Sequence, residues 1–133
     1  MPTKMKARLQ VRSYEVDSFG HVNNAIFLNY LEFARGEFLR QKGLSFNDFI
    51  KWKAFPYVAK IIIEYKTPAK FDDILEVSGW ISHFSRASFT LNKEIINIKT
   101  GKLLARAEVT MVFVNDNQRP TAIPREFREK FSI

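Results

Sequence analysis

Asp17, His21, Asn23 and Asn24 lie within eight consecutive residues of the stretch "YEVDSFGHVNNAIFLNYLEFAR", which runs from Tyr14 to Arg35. A carboxylate, an imidazole and two amides thus share one polar turn, and an apolar, helix-patterned run follows at once. That combination has a definite chemical use. The first turn of a helix leaves backbone N–H groups unpaired and carries the positive end of the helix dipole. A carbonyl oxygen set there is polarised, and an oxyanion forming on it is stabilised. A carboxylate alongside can attack that carbonyl or take a proton from an attacking water. The plainer reading makes Asp17 and His21 turn residues and Asn23 or Asn24 the helix cap. Residue types and spacing alone favour the plainer reading. Glu32 and Arg35 likewise read first as a surface pair one helical turn apart.

Other chemistries find little support. The chain has no cysteine, so disulfides, thiolate nucleophiles and cysteine-held metals are excluded. No GxSxG elbow occurs, and the five glycines do not cluster into a phosphate loop. His21 and His83 stand far apart in sequence and outside any ligand motif, so neither a metal nor a cofactor is expected. The formal charge of +7 and the isoelectric point near 9.8 point to an anionic partner or simply to a basic solvated surface. The basic residues are scattered, and the aromatics follow the core pattern, which argues against nucleic acid. Thirteen Phe, two Trp and four Tyr in 133 residues exceed the usual needs of so small a core. Some are expected to line a pocket or an interface. No apolar leader or membrane-length run is visible, so a cytoplasmic protein is expected.

The elements that must position the turn form a single domain over residues 1–133. Lys6 to Tyr14 alternates as a half-buried strand, and residues 15–23 form the turn. A helix is predicted from Asn24 to Gln41, burying Phe27, Tyr30, Leu31, Ala34 and Phe38. Gly43 ends it, and Leu44 to Lys51 adds a short second helix. Strands follow at Tyr57–Thr67, Ile74–Phe84, Ala87–Ile98 and Leu103–Val114, with "PREFREKF" as a last short helix begun by Pro124. In Tyr57–Thr67, Ala59, Ile61, Ile63 and Tyr65 share one face. The short connections predict an antiparallel meander, and the single long helix must cover one of its faces. The expected class is α+β, with about five strands wrapped around one central helix.

"VDSFGHVNNAIFLNYLEFAR" resembles the signature of the hotdog-fold thioesterases of the 4-hydroxybenzoyl-CoA thioesterase-like group. "IEYKTPAKFDDILEV", "SRASFTLNKEI", "GKLLARAEVTMVFVN" and "RPTAIP" resemble the segments that follow in that family, in the same order. The resemblance implies a hotdog fold and hydrolysis of an acyl-CoA, or of an acyl-carrier-protein thioester, to a free acid. A non-catalytic module that binds acyl-CoA is the alternative. It also implies a homodimer joined sheet edge to sheet edge, or a tetramer of such dimers, with active sites at the interface. Asp17 then matches the catalytic carboxylate, as nucleophile or as general base. His21 matches the histidine of the "HVNN" form, and Asn24 stands where several bacterial members carry a histidine. Gly20, Val22 and Asn23, with their neighbours up to Asn24, match the loop whose backbone N–H groups polarise the thioester carbonyl. Arg86 and Ser88, in "SRAS", match positions that contact the phosphates or pantetheine arm of CoA.

Overall fold

The computed structural model describes residues 4–132. Its strands are β1 (Met5–Gln10), β2 (Phe55–Tyr65), β3 (Ile74–Phe84), β4 (Ser88–Asn97) and β5 (Leu103–Val114). Its helices are α1 (Asn24–Gln41), α2 (Phe46–Trp52) and α3 (Arg125–Phe131). The strands form one five-stranded antiparallel sheet in the order β1-β3-β4-β5-β2. No helix among the described residues is long and apolar enough to cross a membrane.

Helix α1 occupies the predicted residues because its local signals agree. The Asn23 side chain accepts the Ala25 N–H at 2.8 Å, an N-cap that satisfies one orphan donor. Phe27, Tyr30, Leu31, Ala34 and Phe38 are its buried residues, the stripe read from the wheel. Each large apolar side chain in that stripe contributes about 1.5–3 kcal/mol by leaving water. Gly79 of β3 lets the helix settle close to the sheet. A Cβ added there would lie 2.5 Å from the Phe38 ring.

Three expectations are corrected. β1 stops at Gln10 rather than running to Tyr14, because Ser13–Glu15 winds into a 3₁₀ turn whose Glu15 carboxylate accepts the Arg12 N–H at 2.8 Å. The four later strands are not a simple meander. Only β3, β4 and β5 follow one another, whereas β2 pairs with β5 and residues 66–73 cross to the far side of the sheet. β2 is therefore an edge strand, and the face counted through Ala59, Ile61, Ile63 and Tyr65 is not sealed: Ala59, Ile61 and Tyr65 remain exposed, as do Tyr57, Val58 and Ile62. The ladder also slips between Val58 and Lys60, so the alternation counted through Ala59 does not hold along the strand.

Candidate active site

The polar turn is built before α1 begins. Val16 and Val22 bridge across its neck. The Asp17 N–H donates to the His21 carbonyl at 2.8 Å, and the Gly20 N–H returns to the Asp17 carbonyl at 3.0 Å. Gly20 has φ +79°, a conformation that costs glycine nothing and side-chain-bearing residues strain. The Asp17 side chain holds the same turn: its Oδ1 accepts the Phe19 N–H at 2.9 Å and the His21 N–H at 3.2 Å. Its Oδ2 has no hydrogen bond among the described residues. The neck is stapled to the crossover, with the Val22 N–H donating to Ala69 at 2.8 Å and His21 bridging to Lys70.

Asp17, His21 and Asn24 line one cleft of about 300 Å³. Phe27, Tyr65 at the end of β2, and Lys66, Thr67 and Pro68 just after it form the rest of its wall. Tyr65 closes the helix end against the sheet: its hydroxyl donates to the Asn24 carbonyl at 3.0 Å, and its ring meets Phe27 edge-on at 5.5 Å. The expected acid, imidazole and amide thus come together beside the leading end of a helix.

The loop amides do not behave as expected. The N–H groups of Gly20, His21, Val22 and Asn23 are all paired inside the protein, those of His21 and Asn23 with Asp17 Oδ1 and the Glu15 carbonyl. They hold the loop's shape and are not donors to a ligand. The Ala25 and Ile26 amides are paired with Asn23. The N–H of Asn24, the first residue of α1 and part of the cleft wall, has no partner among the described residues. Val22 is buried in the core, and Asn23 serves as the cap. Arg86 and Ser88 are the second correction. Ser88 sits opposite Val112, which sits opposite Tyr57, at the end of the sheet remote from Tyr65. Eight residues of strand separate Tyr57 from Tyr65, about 26 Å at 3.3 Å per residue, so one chain does not bring them to Asp17.

Two buried ionisable groups escaped the sequence reading. Glu15 is 6% exposed and accepts from the Arg12 guanidinium at 2.7 Å and the Tyr30 hydroxyl at 2.9 Å. Burial pushes its carboxyl up, but the bonds from the Arg12 side chain and backbone and from Tyr30 hold it below its ordinary value. Burial, then the bond to Glu15, push the Tyr30 phenol up. The spacing of Arg12 and Glu15 around a turn was the available signal. Lys93 of β4 lies inside the protein at 2% exposure, its ammonium donating to the Leu31 carbonyl at 2.7 Å. Burial, and then Arg35 nearby, pull its pKa down to about 7. Its signal was the alternation Phe89, Leu91, Lys93, Ile95. Among the described residues no group of three metal-ligating side chains comes together.

The sequence profile of the Thioesterase-like superfamily matches residues 11–131. The chain belongs to that superfamily. It is 30% identical over 131 residues to the long-chain acyl-CoA thioesterase FadM of Escherichia coli, covering 95% of this chain and 96% of that one. It is 29% identical over 126 residues to an acyl-acyl carrier protein thioesterase of Arabidopsis thaliana chloroplasts, ATL3, covering 95% of this chain and 66% of that protein's length. The fold matches the crystal structure of a 1,4-dihydroxy-2-naphthoyl-CoA thioesterase from Synechocystis with a TM-score of 0.89. That likeness covers 97% of this chain and 96% of the other at 23% identity, and it speaks to the fold alone. The superfamily, the α+β class and the hotdog architecture that the "HVNN" stretch implied are borne out.

Proposed function

We propose that the protein hydrolyses acyl-CoA thioesters to a free carboxylic acid and CoA at the Asp17 cleft. The observation that carries this reading is the division of labour within one carboxylate. Oδ1 shapes the loop, while among the described residues Oδ2 has no partner, on a cleft that also holds the Asn24 amide, likewise without one. A thioester carbonyl oxygen at that amide gains a donor and the helix dipole as charge develops on it. Asp17 either attacks the carbonyl carbon, forming an acyl-aspartyl anhydride that water then opens, or takes the proton of a water that attacks. In both courses the C–S bond breaks, the thiolate leaves, and it is protonated to free CoA. His21 and Asn24 offer side-chain donors on the same wall.

The reading includes a second copy. β2 is a long edge strand with an exposed apolar row, the kind of edge that recruits another strand. Antiparallel pairing of two β2 strands about a twofold axis brings the Tyr57 end of one copy beside the Tyr65 end of the other. Arg86 and Ser88 then serve the Asp17 cleft of the neighbouring copy, where a guanidinium meets the phosphates of CoA. The plant relative's name supports a second reading, in which the acyl group arrives on a carrier protein. A hydrolysis assay over acyl-CoAs of graded length, aryl-CoAs and one acyl-carrier protein tests both. Turnover of acyl-CoA is expected. Turnover confined to the carrier-protein thioester moves the substrate assignment, and inertness with saturable acyl-CoA binding replaces the enzyme with a binding module.

A further inference from the structure

A larger open cavity than the Asp17 cleft lies elsewhere among the described residues. It is a groove of about 580 Å³ over the second half of α1, bounded by α2 and the start of β2. Its rim carries Glu32, Arg35 and Arg40, and Leu39, Leu44, Phe46 and Phe55 make the rest apolar. Arg35, Leu39 and Pro56 also line a narrow crevice beneath the helix that reaches Phe89, Met111 and Phe127 and holds about 20 Å³ of open space. The groove thus borders a small apolar crevice that leads towards the core. Arg35 stands at the junction. Its guanidinium pairs with Glu32 at 2.8 Å on the rim and directs another N–H at the Met111 sulfur at 3.6 Å. A thioether is a weak acceptor, so that inner contact yields easily to an entering group.

Gly36 lines the same groove in the interior of an 18-residue helix. Glycine is the poorest helix former after proline. Here packing does not call for it: an added Cβ would meet only the Arg40 guanidinium, at 3.8 Å. Gly79 shows the contrast, since its missing Cβ is where the Phe38 ring sits. The bare backbone at Gly36 keeps room in the groove.

We propose that this groove takes the acyl chain of a thioester held at Asp17 of a second copy, and that Gly36 sets how long a chain it accepts. The inference rests on the proposed hydrolase and its β2 pairing. α1 starts beside Tyr65, and its second half shares cavities with Pro56 and Tyr57. It therefore runs opposite to β2. The pairing that joins unlike ends of β2 sets each cleft beside the groove of the other copy. A groove whose lining is mostly apolar suits a flexible aliphatic chain, and each methylene it buries raises affinity about fourfold.

The test compares wild type, Gly36→Ala and Gly36→Leu on butyryl-CoA and dodecanoyl-CoA, with thermal melts of each protein. The ratio of kcat/KM for the long over the short substrate is expected to fall about tenfold in Gly36→Leu and about two- to fourfold in Gly36→Ala. Both variants are expected to melt no lower than wild type, because each improves the helix. If Gly36→Leu fails to fold, Gly36→Ala decides. An unchanged ratio in folded variants, or a wild type that ignores long chains, overturns the inference and leaves the hydrolase standing. A wild type inert on every acyl-CoA removes both.

Discussion

The two edges of the sheet follow opposite rules. β1 is six residues long, buries Met5 and Ala7, and turns Lys6 and Arg8 outward, where both pair with Glu76 of β3 at 3.9 and 3.1 Å. β2 is eleven residues long and exposes Tyr57, Val58, Ile61 and Ile62. A short charged edge repels further strands, whereas a long apolar one invites them. The chain therefore finishes one side of its sheet, and in the proposed assembly the other side is left to a second copy. The same asymmetry bears on chemistry: Asp17 lies at one end of β2, and Arg86 and Ser88 lie towards the other.

The comparison breaks most sharply at Ile62. Ile62→Lys sets a charge on the unfinished edge, where two copies would meet it with like charge. Its expected effect is a dimer weakened about a hundredfold, with activity falling in step and the circular dichroism unchanged. Sedimentation and turnover measured over a dilution series check this. A fully active, fully dimeric variant would assign the pairing to another surface.

A central strand sharpens the contrast. Lys93 is sealed between β4 and α1, so its charge has no water to face. Its folded pKa near 7 lies below the ordinary 10.5. Below pH 7 it is charged folded and unfolded alike, and the cost of burial is felt in full. Between about pH 7 and 10.5 the unfolded chain holds a proton that the folded one has lost, so stability rises with pH. Lys93→Met should therefore stabilise the fold more at pH 6 than at pH 9, by at least about 1 kcal/mol in urea melts. Equal effects at both pH values would mean that the amine is not buried as described. At the finished edge the same kind of cation does little: Arg8→Ala is expected to change stability by less than about 0.5 kcal/mol.

Local signals made α1 legible. Its apolar stripe, the Asn cap and the Gly43 stop all speak within a few residues of one another, and the helix spans the predicted 24–41. The β3–β4 and β4–β5 hairpins were legible for the same reason. The position of β2 was not, because its partner β5 comes some forty residues later and nothing near Tyr57 announces it. At the site, the residue types of Asp17, His21 and Asn24 were visible, and they do line one cleft. The bonding of the loop was hidden, since which amides are free depends on Ala69, Glu15 and the Asp17 carboxylate closing on them. Glu15 read as one more turn residue, because its burial comes from Tyr30, fifteen residues along the chain.

The decisive measurement is the turnover of Asp17→Asn on an acyl-CoA that the wild type hydrolyses. Asparagine keeps an oxygen for the Phe19 and His21 amides, so the loop should hold and the melting temperature should stay within about 3 °C. The unengaged carboxylate oxygen is lost, and turnover is expected to fall by about 10³ or more. A correctly folded Asp17→Asn protein that turns over like wild type would contradict the account.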